Sequence, residues 1–181
     1  WPTFSCPLTL ADTGYIILIK LHYMSYLSQE DHLRLLIHNP ERRDVSAWKD
    51  WSKFLEKHRN RENVRIIDEQ NINPYLFLSD LMVTDYGGAS LEFMSLDRPI
   101  VYLDCPEFFR IRGEEIFENK VRETGYIVNN PDMLPEYIEK SFENPEPYTS
   151  KRREIVNNLL YNPGNAAQTG FNYLYNLVQG K

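Results

Sequence analysis

The chain predicts a doubly wound α/β fold built on a parallel sheet. A continuous apolar run rich in β-branched residues stands at 15–19, and short strand-like segments follow at 64–67, 81–84, 100–103 and 126–128. That is the composition of strands buried on both faces. Segments with helical spacing lie between them, and strictly alternating strands and helices imply parallel crossovers. Ligands of such sheets bind beyond the carboxyl ends of the strands.

The elements follow in order. Tyr15-Ile16-Ile17-Leu18-Ile19 is the first strand. Residues 29–37 and 46–58 carry helical spacing, with Trp48, Trp51 and Leu55 on one face and Lys49, Lys53 and Glu56 off it. Pro40 and the charged stretch 41–44 separate the two, and Asp44 is the expected N-cap of the second. Val64 to Ile67 form the second strand. A short helix over 74–79 leads into the third strand, Leu81-Met82-Val83-Thr84. A helix over 89–96 precedes the fourth strand, Ile100 to Leu103, and a long loop over 104–115 follows it. Tyr126-Ile127-Val128 is a short fifth strand. Helices over 132–142, 151–161 and 166–178 close the chain, the last capped near Gly180. No internal repeat or low-complexity segment interrupts this pattern, so 181 residues read as one domain.

Composition excludes several classes. A net charge of −6 argues against non-specific nucleic-acid binding, which needs a basic surface. No apolar run reaches the roughly 18 residues of a membrane-spanning helix. Trp1-Pro2-Thr3 opens the chain without an initiator Met and without the basic-then-apolar pattern of a signal peptide, so a piece of a longer protein is expected. Cys6 and Cys105 form neither a metal motif nor a disulfide framework and read as buried thiols in a reducing compartment.

The stretch from Ser79 to Phe93 is the most informative. Its apolar run stops at Thr84-Asp85, and Gly87-Gly88 precede a helix. A strand, a tight turn and a helix start expose backbone N–H groups and the positive end of a helix dipole, which suit a phosphate. Gly87 and Gly88 are expected to allow φ > 0 and close approach of a ligand. The same sequence also fits a plain turn in which Thr84 and Asp85 cap the helix. An anionic Asp85 beside phosphate would repel it, so Asp85 is expected to orient the loop. The N–H groups of Gly88 and Ala89 and the hydroxyl of Ser90 are the better phosphate contacts. Glu92 suits either a solvated helix face or the ribose hydroxyls of a nucleotide. His22, Asp85 and Asp104 each follow a strand end and are placed at one edge. On residue type alone, His22 is a solvated loop histidine, and His32, His38 and His58 are surface residues with no zinc spacing. Arg110 and Arg112-Gly113 lie in the long loop, where a guanidinium can offset pyrophosphate charge bidentately.

Thr84-Asp85-Tyr86 with the small residues after it, Glu92-Phe93 and Leu96-Asp97-Arg98-Pro99-Ile100 resemble motifs of the CDP-glycerol glycerophosphotransferase family. Lys20-Leu21-His22 resembles its Lys-Leu-His-Pro motif, Arg112-Gly113 its Arg-Gly element, and Gly164-Asn165-Ala166-Ala167 its late Asp-Gly-Lys-Ala stretch. The pieces occur in the family's order, from about Pro2 to Ala167. Gly87-Gly88 replace the usual Ser-Ser, Tyr23 replaces the Pro after the His, and Pro163 and Asn165 replace Asp and Lys in the late motif.

The resemblance implies a Rossmann-like, donor-binding half of a glycosyltransferase-B architecture. It implies transfer of glycerol phosphate, or a similar polyol phosphate, from a CDP-activated donor to a polymer or lipid-linked acceptor in teichoic-acid-like synthesis. His22 becomes catalytic. Thr84, Asp85, Gly87, Gly88, Ala89, Ser90, Glu92, Arg112 and Gly113 become the donor and phosphate site. No Asp-x-Asp metal pattern is present, so neither metal nor other cofactor is expected. An acceptor domain on the N-terminal side and a cytoplasmic place at the inner membrane face complete the implied setting. Two other readings share the sequence: the donor domain of a nucleotide-sugar glycosyltransferase or UDP-sugar epimerase, and a non-catalytic scaffold, which the Gly87-Gly88 change favours.

Overall fold

A computed structural model describes residues 10, 14–28, 30, 31, 34, 50–85, 87–106, 109, 116–160 and 164–180. Its five strands are β1 (Ile17–Ile19), β2 (Val64–Ile66), β3 (Met82–Thr84), β4 (Ile100–Leu103) and β5 (Tyr126–Val128). Every pairing is parallel: β1 with β2, β3 with β4, and β4 with β5. The strands form two small sheets, β1-β2 and β3-β4-β5, where one continuous sheet was expected. The helices are α1 (Trp51–Arg59), α2 (Asn73–Leu78), α3 (Gly88–Met94), α4 (Ile116–Arg122), α5 (Leu134–Glu143), α6 (Thr149–Leu159) and α7 (Ala166–Val178).

The period-two alternation of β4 explains why the larger sheet is covered on both faces. Val101 turns to a cluster with Val128, Leu134 and Ile138, so α5 lies there; Tyr15 and Ile17 pack against the same cluster and tie β1 to it. Ile100 and Tyr102 turn the other way, to Phe93 and Met94 of α3 and Val121 of α4, with Ile155 and Val156 of α6 against them. This is the doubly wound, Rossmann-like arrangement that the alternation of elements predicts. Helix α7 buries none of its residues.

Three local expectations change. Helix α1 starts at Trp51, because Asp50 caps it by accepting from the Ser52 N–H at 3.1 Å; Asp44 and Trp48 lie outside the described residues. His58 is not a surface residue. It is 4% exposed and stacks tilted on Phe54 at 4.7 Å, and burial, then Arg61 and Lys57, hold its imidazole below the usual range. Helix α4 was not anticipated, since the charged sequence before it reads as one long loop.

The Leu-Asp-Arg-Pro-Ile stretch proves architectural. Asp97 adopts φ 52°, a left-handed conformation that Asp tolerates better than most residues. Its carboxylate accepts from Arg152 Nε at 3.1 Å and Arg153 Nε at 2.9 Å, joining the end of α3 to α6. Arg98 Nη1 donates to the carbonyls of Phe77 and Ser79 at 2.7 and 2.6 Å and closes the end of α2. Gly125 is held for another reason: a Cβ there would run into the carbonyl of Ile100 and lie 3.2 Å from the Tyr102 ring. Gly125→Ala should therefore push β5 away from β4 and cost about 2–3 kcal/mol, at the upper end for overpacking. Chemical denaturation checks this, and a loss below about 0.5 kcal/mol would show that the strand ends shift freely.

Candidate functional site

All five strands being parallel, the residues that follow β1, β3 and β4 stand at the carboxyl edges of their sheets. The turn after β3 is the centre of the candidate site. Thr84, half-buried, is in register with Tyr102 of β4. Neither Thr84 nor Asp85 caps α3. Gly87 occupies that position, with no side-chain cap. Its φ of 166° and ψ of 169° are extended backbone open to any residue, so the expected left-handed conformation is not the reason for glycine. Packing does not require glycine either, since a Cβ on Gly87 or Gly88 would meet nothing within 4 Å. The turn is open to an approaching ligand.

Gly88 is exposed and Ala89 half-buried. Ser90 departs from expectation. It is 0% exposed, and both its N–H (3.1 Å) and its hydroxyl (2.7 Å) donate to the Gly87 carbonyl. A hydroxyl so placed braces the turn from beneath, and the outward-facing donors of a helix start are backbone N–H groups. Glu92 is exposed on α3. Arg110, Arg112 and Gly113 lie outside the described residues.

Asp85, Asp104 and Cys105 come together with a residue the sequence did not single out, Arg122 at the end of α4. The Asp104 N–H donates to Val128 O at 2.8 Å, and its carboxylate accepts from Arg122 Nη2 at 2.5 Å. Arg122 is 8% exposed and lies over the Phe109 ring at 4.8 Å. The Cys105 thiol is pushed up to about 11, first by burial, then by the Asp85 carboxylate, with Arg122 opposing and Asp104 adding. It is therefore a neutral thiol, unsuited as a nucleophile. A terminal basic residue on a helix ordinarily reads as a dipole partner, and nothing local in the sequence points from Arg122 to Asp104.

His22 sits at the carboxyl edge of the other sheet. Its side chain is exposed, and its carbonyl accepts from the Ser25 N–H at 2.8 Å, opening the 3-10 turn Tyr23–Tyr26. Glu69, beyond β2, is held below the usual carboxylate range by its own backbone N–H and the Tyr75 hydroxyl. The late motif, Gly164 to Ala167, lies at the exposed start of α7, with Gly164 at φ 82°. Among the described residues, no group of three or more His, Cys, Asp or Glu could hold a metal ion, and no helix is long and apolar enough to cross a membrane.

One comparison bears on the chain as a whole. Residues 9–176 match the family model described as CDP-glycerol:poly(glycerophosphate) glycerophosphotransferase. The chain belongs to this family. As a glycerophosphotransferase-family chain it is a transferase, and the family's name implies a nucleotide-activated donor and a polymeric acceptor. No individual curated relative and no solved structure matches the chain closely enough to be set beside it.

Proposed function

We propose that this chain is the donor-binding domain of a two-domain, glycosyltransferase-B-like enzyme of teichoic-acid-type polymer synthesis, working at the inner face of the membrane beside a separate acceptor-binding domain. The donor is CDP-glycerol or a close CDP-polyol. The match over residues 9–176 carries this reading, and the open space above Gly87 and Gly88 at a strand end supports it.

The reaction is a displacement at phosphorus. An acceptor hydroxyl oxygen attacks the phosphorus that bears glycerol. The bond from that phosphorus to the bridging oxygen breaks, CMP departs with the electron pair, and the hydroxyl proton passes to a base. His22 takes this proton, since imidazole exchanges protons near neutral pH. The N–H groups of Gly88 and Ala89 face the donor phosphates, Ser90 holds their turn in place, and Thr84 and Asp85 set its direction. Glu92 lies one helical turn on, where a carboxylate can accept from ribose hydroxyls. Arg112, followed by Gly113 in the sequence after β4, supplies a cation to the donor phosphates.

Gly88→Val tests the turn. Open space around the added side chain leaves the fold intact, while the bulk blocks approach of phosphate. Affinity for CDP-glycerol, measured by titration, should fall by on the order of 1–3 kcal/mol through lost hydrogen bonds. Unchanged affinity in a folded variant would remove the turn from the site. Titration of UDP-sugars alongside separates donor classes, and tighter binding of a UDP-sugar would move the protein to a glycosyltransferase.

A further inference from the structure

An edge that must accept an anionic donor carries two carboxylates. Asp85 ends β3 and Asp104 ends β4, neighbouring strands with Thr84 opposite Tyr102. Both carboxylates help to raise the Cys105 thiol, so both lie near it. Left alone, each would repel a pyrophosphate. Asp104 is matched at close range: Arg122 Nη2 donates to it at 2.5 Å. The guanidinium is held from a second side by the Phe109 ring at 4.8 Å. Its Nε is buried without a hydrogen-bond partner. Asp104 is thus the charged partner to which this guanidinium is committed.

We propose that Arg122 is a positioning residue for donor binding, whose task is to cancel the charge of Asp104 and hold it against the end of β4, so that the edge beside the Gly87-Gly88 turn admits the diphosphate of the donor. Arg122 does not touch the donor, and the pair acts through charge. This rests on the reading of that turn as the donor site. The carboxylate is the liability, and the cation removes it. That ordering separates the proposal from a direct arginine–phosphate contact.

The test measures the apparent KM and Kd for CDP-glycerol, with kcat, in the intact enzyme. Arg122→Gln exposes the Asp104 charge, and donor KM should rise about five- to tenfold at low salt with kcat little changed. The difference should shrink at about 0.5 M salt as screening takes over. Adding Asp104→Asn to Arg122→Gln should return KM to within about twofold of wild type, because the charge that needed cancelling is gone. Asp104→Asn alone should leave KM at or below the wild-type value, and Arg122→Lys should stay near it. The single Asp104→Asn and Arg122→Lys variants carry the test should Arg122→Gln fail to fold. Failure of the double variant to recover, or a raised KM in Asp104→Asn, overturns the proposal. If Gly88→Val weakens CDP-glycerol binding while the Arg122 and Asp104 series leaves KM unmoved, this inference falls and the donor site stands. If Gly88→Val has no effect either, the donor-site reading falls with it.

Discussion

His22→Ala should lower turnover of the intact enzyme by about 10²–10⁴-fold, the contribution usual for a positioned acid or base. The side chain is exposed, so its loss removes little packing and the variant should fold with near wild-type stability. CDP-glycerol affinity should change far less than kcat, because the imidazole acts on the attacking hydroxyl. The residue's contribution to the local turn comes from its backbone carbonyl, which the substitution keeps. Turnover within a few-fold of wild type would make His22 a loop residue without catalytic duty.

Asp97→Ala should be strongly destabilising, by about 4 kcal/mol. Arg152 is 1% exposed, and Asp97 supplies its counter-charge. Thr149 Oγ1 at 2.9 Å and the Thr124 carbonyl at 3.4 Å are neutral and do not replace it. Removing one partner of a buried pair leaves an uncompensated charge, which costs about 3–5 kcal/mol. Partial exposure of Asp97 puts the expectation at the low end. Alanine also disfavours the left-handed backbone at this position by roughly 1 kcal/mol. Asp97→Gly isolates the charge, because glycine takes φ > 0 freely, and should recover about that fraction. Arg152→Met removes the buried charge at similar volume and should be milder than Asp97→Ala. Urea denaturation of the three variants gives the ordering. A loss under about 1 kcal/mol in Asp97→Ala would mean that water compensates Arg152 and that the pair is incidental.

These two residues mark what each level of description can supply. The place of His22 just past a strand was legible because its signal is local: an apolar run, then Lys-Leu-His. The same holds for the element order. β4 and β5 fall at residues 100–103 and 126–128 as expected, and α7 spans 166–178 as expected. Hydrophobic period, glycine and proline act over a few residues, so they are legible without the fold.

The chain by itself therefore determined the alternation of strands and helices, the parallel sense of the pairing, the membership of the family and the turn at Gly87-Gly88. Tertiary structure alone decided which polar groups are spent on architecture. Ser90 carries the residue type of a phosphate ligand and became a brace, because α3 packs its inner side against Tyr102 and closes over the hydroxyl. Arg122 finds Asp104 at a separation of 18 residues, and Arg152 finds Asp97 at 55. Partners that distant leave no periodic mark on a sequence. They are chosen by the crossovers, which bring the ends of helices back to the sheet, and by the cost of burying any charge that has not met its opposite.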